Sequence, residues 1–373
     1  MPAPHYHTII AGAGPGGCAA AIRLRQQRLR VAIIDDVNDE QLKVGESLPG
    51  ASLRLLGGLG INGLPELLPN TAFEACVANK SAWGSDHWTY TDALRNPEGG
   101  GWHVMRNEFD AALRKKAQEV GVDFYSGKVG AIAKEDEYTI RFKTQKLQLP
   151  EALTANWLID ATGRAAALLR QLGVSREKFE PQMAAICWLH PNANDKDRTT
   201  TIKSVAKGWW YTSRLPDGSR VLSFHGLPET VAKMVKDPQY YLKEANTAQI
   251  INYNLHLNSI LQGITARDAG VSKATEVIGK NWFALGDAAL SFDPLSSQGI
   301  FFALYSGLQA ANALLKTQAG NLQAQETYQQ QVNKVFQANQ RSRQYFYTAE
   351  RRFLEEGYWQ RQLPRDKILK KEY

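Results

Sequence analysis

Cysteine is scarce: Cys18, Cys76 and Cys187 are the only three in 373 residues. They have no metal-like spacing and are too few for a disulfide framework, so a reducing, cytoplasmic compartment is the expectation. Long apolar runs are missing as well. No stretch approaches the roughly 20 residues that a membrane span needs, so no membrane association is expected. Residues 1–6, MPAPHY, have neither a charged leader nor a cleavage site and do not read as a signal peptide. No Gly/Ser-rich linker, repeat or low-complexity tract interrupts the chain. His87, His103 and His225 each stand without a partner at ligand spacing, and no metal is expected. Charge of one sign is only mildly in excess, at a formal net +7. Lys and Arg are dispersed, with clusters no longer than Arg351-Arg352 and Lys370-Lys371. Nucleic-acid modules concentrate such charge beside a recognisable motif, so nucleic acid is not an expected partner. An anionic cofactor or an acidic protein suits the excess better.

What is present begins at the N-terminus. Residues 7–12 read as a short buried strand running into Gly12-Ala13-Gly14-Pro15-Gly16-Gly17, then an Ala-rich helix from Cys18 to about Arg28. A second apolar strand, residues 31–34, ends at Asp35-Asp36. Each position has a task in dinucleotide binding. Gly12 permits the tight turn, Gly14 lets backbone approach a pyrophosphate, and Gly17 lets helix and strand pack closely. Open amides at the helix start, opened by Pro15, face the phosphate charge. Asp35 is placed to accept hydrogen bonds from a ribose, with Asp36 its solvated neighbour.

Two downstream segments choose between flavin and nicotinamide. Residues 157–164, WLIDATGR, look like a strand ending in a small-residue turn, where Gly163 permits a second close approach. Residues 282–299, WFALGDAALSFDPLSSQG, read as a strand, the pair Gly286-Asp287, a loop, and Gly299 opening an apolar helix. Asp287 suits ribityl hydroxyls. The amides around Gln298 and Gly299, at a helix's positive end, suit the negative charge of a reduced flavin. The expected cofactor is FAD.

This order of segments, with Arg106 before a helix, resembles the flavoprotein monooxygenases of the p-hydroxybenzoate hydroxylase-like fold. The resemblance implies that Arg106 sits over the flavin and its phosphates. It also implies an α/β architecture with α+β insertions: a Rossmann-like, three-layer FAD-binding domain interleaved with a mixed β-sheet substrate domain, plus C-terminal helices. The expected FAD-binding parts are residues 1–75, 101–175 and 276–320, the substrate parts 76–100 and 176–275, and the helical region 321–373. Lys43-Val-Gly-Glu-Ser-Leu-Pro49 and residues 293–299, DPLSSQG, are similar to boxes of the flavin-dependent halogenases. Gly208-Trp209-Trp210-Tyr211 with Arg214-Leu215-Pro216 sits where those enzymes keep a Trp-x-Trp-x-Ile-Pro box, which is not intact here. Lys80 lies near their catalytic lysine.

With Tyr358-Trp359 and the preceding Glu350-Arg351-Arg352-Phe353, the chain resembles a halogenase-like subgroup. That subgroup includes flavoproteins that mature tryptophylquinone cofactors of glycine oxidase and lysine ε-oxidase type quinoproteins. The resemblance implies hydroxylation of a tryptophan in a precursor quinoprotein oxidase, the expected protein partner. NAD(P)H or a separate reductase would be a transient electron donor, since no second nucleotide fingerprint occurs. Two alternatives stay open: hydroxylation or halogenation of a small aromatic, and a non-catalytic flavoprotein chaperone.

Candidate catalytic residues are Lys80, Glu46, Trp210 and His225. Lys80 reads as a site residue or a surface lysine, and Glu46 as positioning a loop near the flavin or as a capping carboxylate. Trp83 and the run Trp209-Trp210-Tyr211 read as an aromatic pocket wall or as packing, while Trp282 reads as packing. His225 is the acid/base candidate. Residues 323–337 read as a solvated helix; Arg351, Arg352, Tyr358 and Trp359 offer an alternative reading as a docking surface.

Overall fold

The computed structural model describes residues 3–37, 42–92, 99–143 and 152–363; Lys370-Lys371 lies outside the described residues. The fingerprint forms strand β1 (His5–Ala11), helix α1 (Pro15–Gln26) and strand β2 (Val31–Asp35). Both strands are apolar and buried on both faces at their centres, as parallel strands inside an α/β layer are. β1 pairs in parallel with β2 and with the strand Ala152–Asp160, aligning Ile10 with Ile33 and Ile159. Asp123–Ser126 extends the sheet beyond β2, and Trp282–Ala284 extends it on the other side. The short strand Ile278–Gly279 pairs with Trp282–Ala284, and a hairpin, Lys128–Lys134 with Tyr138–Lys143, completes an eight-stranded sheet. Helix α1 packs closely on the helix Gly299–Gln318: a Cβ on Gly307 would fall 2.3 Å from the Gly16 carbonyl oxygen.

A second sheet has seven strands in the order Ile260–Asp268, Met183–Leu189, Arg220–Gly226, Gly208–Arg214, Thr200–Val205, Ala78–Ala82, Thr89–Asp92. Side chains alternate across it with period two. Ala185, Cys187, Trp210, Leu222 and Phe224 face one way, under the helices Pro228–Lys236 and Pro238–Ala248, where Met234, Tyr241 and Leu242 join them. Each large apolar side chain buried there contributes about 2–3 kcal/mol. Ala184, Ile186, Val221, Ser223 and His225 face the other way, into a cleft. The chain enters this sheet at residue 78, returns to the first, and re-enters at 183, so the two sheets are interleaved in sequence.

The C-terminal helix is longer than residues 323–337, running Ala324–Ala349, and Gly357–Gln362 follows it. A docking role for Tyr358 and Trp359 is corrected by their burial: both lie in an aromatic cluster with Trp83, Trp209, Tyr347 and Phe353. Arg352 is tied to Glu350 and Asp86. No described helix is long and apolar enough to cross a membrane.

Candidate active site

The cleft, of about 380 Å³, is lined from both sheets. Its first wall is made at the carboxyl ends of parallel strands, where ligands of such sheets bind: residues 14–17 after β1, Ala161, Gly163 and Arg164 after Ala152–Asp160, and residues 285–287 after Trp282–Ala284. Loops 44–47 and 292–300 close over it.

The fingerprint glycines divide their tasks. Gly12 has φ +105, and a Cβ there would lie 2.2 Å from the Ala161 carbonyl oxygen; a Cβ on Gly17 would lie 2.0 Å from the Gly12 oxygen. Those two let the protein touch itself. Gly14 meets nothing within 4 Å and opens onto the cleft, as do Gly163 and Gly299. Pro15 opens α1, whose first turn has no side-chain cap, leaving its amides free for an anion. Gln298 stands before the 20-residue helix Gly299–Gln318, also without a side-chain cap. Asp35 accepts a hydrogen bond from the Ala13 amide at 2.6 Å and does not line the cleft, so one oxygen already serves the turn.

Arg106 opens the helix Arg106–Glu119 on the cleft rim. Its Nε donates to Asp110 at 2.8 Å and its Nη1 to the Val44 carbonyl at 2.9 Å, which clamps the loop carrying Glu46. Asp287 faces the cleft with Arg164 at 3.6 Å. Burial raises its carboxyl pKa, and Arg164, Arg176 and Arg106 only partly oppose the rise. Free amides at two helix starts, three open glycines and a carboxyl fit the phosphates, ribityl hydroxyls and flavin ring of FAD.

The second wall holds two hydrogen-bonded groups on an apolar surface. Glu46, 3 % exposed, accepts from Ser213 Oγ at 2.6 Å, from the Gly45 amide at 3.1 Å and from the Tyr211 hydroxyl. Burial and the adjacent Glu46 charge hold the Tyr211 phenol well above its ordinary pKa, so it remains a donor. His225 stacks on Trp209 with ring centroids 3.8 Å apart, and its Nε2 lies 2.8 Å from Ser223 Oγ. Its Nδ1 has no partner. Burial pushes the imidazole down to about 3, leaving it neutral near pH 7.

Two candidates lie elsewhere. Lys80 and Trp210 sit on the helix-covered side of the seven-stranded sheet. Lys80 Nζ is 4.4 Å from the centroid of Trp88, and Trp210 packs on Phe224 and Tyr241. The physical reason is strand parity: neighbours of cleft-facing Tyr211 point the opposite way. Trp282 is packing, His87 is exposed, and buried His103 pairs with Thr200 at 2.9 Å. Sequence reasoning missed the hydroxyls of Tyr211, Ser213 and Ser223. Their spacing of two residues from Trp209, Tyr211 and His225 respectively was the available signal. It also missed the link from Asp293 to Arg343 and Tyr347, for which no local signal exists.

Known proteins resemble the chain over nearly its full length. The putative FAD-dependent oxidoreductase LodB of Marinomonas mediterranea is 25 % identical over 366 residues, covering 95 % of this chain and 96 % of that protein. Tryptophan 2-halogenase of Chondromyces crocatus is 24 % identical, covering 92 % and 70 %. Among solved structures, the peptidyl tryptophan dihydroxylase QhpG, essential for tryptophylquinone cofactor biogenesis, superposes with a TM-score of 0.77 at 24 % identity, covering 96 % of this chain and 78 % of that one. The family model for tryptophan halogenases matches residues 74–370, and the chain therefore belongs to the tryptophan halogenase family of flavin-dependent enzymes.

Proposed function

We propose that the protein is an FAD-dependent monooxygenase that hydroxylates a tryptophan side chain of a precursor oxidase during tryptophylquinone biogenesis, drawing electrons from NAD(P)H or a reductase. The observation that carries this reading is the second wall of the cleft. Ala184, Ile186, Val221 and Phe292 offer an apolar face to an aromatic ring, with the Glu46–Tyr211–Ser213 group and the Ser223–His225 pair as the polar groups of that wall. Bound FAD, once reduced, supplies an electrophilic oxygen from O2. The chain's own residues orient the ring and take up the proton. Glu46 accepts a hydrogen bond from an indole N–H. The neutral His225 imidazole takes the proton that the oxygenated ring carbon releases on regaining aromaticity. That proton is strongly acidic, so a base depressed by burial suffices. The apolar surround keeps water from the reacting atoms.

The likeness in fold to QhpG and the end-to-end match to LodB support this reading. The family match and the tryptophan 2-halogenase favour halogenation as a second reading. Against it stands Lys80, which resembles the halogenase lysine in position but is stacked on Trp88 away from the cleft. The test incubates FAD-loaded protein with a precursor oxidase, NAD(P)H, O2 and bromide, followed by mass spectrometry of tryptophan peptides. Oxygen mass on one peptide is expected. Bromine incorporation would establish the second reading. Turnover on free tryptophan but not on the precursor would assign a small-molecule enzyme, and no turnover a chaperone.

A further inference from the structure

We propose that an extended segment of the substrate polypeptide adds as an eighth strand to the free edge of Ile260–Asp268 and so delivers one aromatic side chain to the cleft. The proposal rests on the polypeptide-substrate reading above.

Ile260–Asp268 is the terminal strand of the seven-stranded sheet, and among the described residues no strand pairs with its outer edge. The Ala269 amide donates to the Gln182 carbonyl at 3.0 Å, which sets the phase of the ladder. In an antiparallel pair with that phase, Thr265 and Arg267 turn their backbone groups inward, and Ala266 and Asp268 turn theirs outward. The Ala266 carbonyl accordingly accepts from the side chain of Arg267 at 3.1 Å, a cap that an incoming strand can displace.

The register places this edge over the reacting centre. Trp209, His225, Ala184 and Arg267 align across four strands, and Tyr211, Ser223, Ile186 and Thr265 align beside them. Residues in register share a face, so both rows run along the cleft side and stop at the edge. A strand added there continues both rows. Its residue beside Thr265 stands two strand spacings, about 10 Å, from Ile186 in the cleft, and an indole leaning over the short threonine covers most of that distance. Arg267, Asp268 and Ala269 themselves line the cleft.

Two features narrow the occupant. The ladder is irregular between Ile186 and Trp188, so the regular edge is the cleft-side stretch from Thr265 to Asp268, and the added segment is short. Asp268 is neutralised by Arg164 and Lys178, whereas exposed Arg267 forms no ion pair among the described residues. The segment therefore carries a carboxylate near its aromatic residue. This is strand addition, with backbone bonds for affinity and one side-chain row for specificity.

The test presents FAD-loaded protein with a peptide pool randomised on both sides of a central tryptophan, separates bound from free by gel filtration, and sequences the retained peptides. Retention of strand-forming peptides with Asp or Glu near the tryptophan is expected. Ala266→Pro removes an outward N–H at an edge position that tolerates proline, and it should lower retention at least about tenfold. Should that variant fold poorly, amide exchange in the unmodified protein decides: Ala266 and Asp268 should slow at least about tenfold with the pool bound. Equal retention by Ala266→Pro, no retention at all, or unprotected amides under a bound pool would each overturn the proposal. Peptides retained but not oxygenated would leave strand addition standing and remove the monooxygenase reading.

Discussion

The fingerprint glycines are chemically identical and structurally unlike. A methyl group at position 12 would overlap the Ala161 carbonyl on a backbone at φ +105, whereas one at position 14 enters open space at φ −72. Gly12→Ala should therefore destabilise the flavin-free protein by more than the about 1–3 kcal/mol of backbone strain alone, read as a fall in Tm. Gly14→Ala should leave the flavin-free Tm unchanged and weaken FAD at least about tenfold, or about 1.4 kcal/mol, read by flavin fluorescence titration. A fall in the flavin-free Tm of Gly14→Ala would contradict the assignment of that glycine to the ligand. His225 and Glu46 follow the same logic in reverse, since each is held by short bonds to hydroxyls on the sheet and each lines the cleft.

Between elements, one carboxylate ties the C-terminal helix to the cleft. Asp293, 3 % exposed, accepts from the Leu295 amide at 3.0 Å, which shapes the turn Pro294–Ser296. Its other oxygen accepts from Arg343 at 3.2 Å and Tyr347 at 2.8 Å, both on Ala324–Ala349. The turn lines the cleft and precedes the helix Gly299–Gln318, so a distant helix sets the position of amides assigned to the flavin. Asp293→Ala leaves a buried guanidinium that still donates to Gln362 but keeps, among the described residues, only Glu180 at 3.4 Å as a carboxylate partner, a loss of about 3–5 kcal/mol. Tyr347→Phe removes hydrogen bonds alone and should cost about 1–2 kcal/mol. Urea unfolding of both, with FAD anisotropy, checks the ranking. Equal midpoints for the two would show that Arg343 does not depend on Asp293.

For the molecule as a whole, buried titratable groups set an acid limit to stability. Burial lowers His103 to about 4 and His225 to about 3, from 6.5 in the unfolded chain. Below pH 6.5 the unfolded chain binds protons that the native state refuses, so stability falls as pH drops, by about 1.4 kcal/mol per pH unit for each group. Above pH 6.5 neither contributes a slope. Glu350 acts at lower pH: burial pushes its carboxyl up, but bonds from Arg352, Ser204 and the Arg352 and Gly84 amides outweigh this and hold it at about 2. Its contribution is present above about pH 4.5 and is lost toward pH 2. Tm should therefore decline steadily from pH 6.5 to 4. A flat Tm across that range would show that the histidines are accessible to solvent protons in the native state.

The first wall of the cleft was legible because its signals are local. Strand, turn, helix and second strand lie within residues 5–35, and Gly286-Asp287 and Gln298-Gly299 fall within one short segment, so spacing alone places their amides and carboxylates. The mixed architecture, with its two interleaved sheets, was implied by the family resemblance and not by local spacing. The substrate side was not legible. Trp209, Trp210 and Tyr211 are consecutive and apolar because both faces of their strand are buried, so no alternation of polarity shows which face the cleft takes. Register decides it, placing Trp209 and Tyr211 on the cleft side of the sheet, with Tyr211 lining the cleft and Trp209 buried in the aromatic cluster, and Trp210 and Lys80 on the other side. Glu46 meets Tyr211 and Ser213 across more than 160 positions, and Asp293 meets Arg343 across 50. Residues a few positions apart determined which cofactor binds; contacts between distant strands, which no local spacing encodes, decided what faces it.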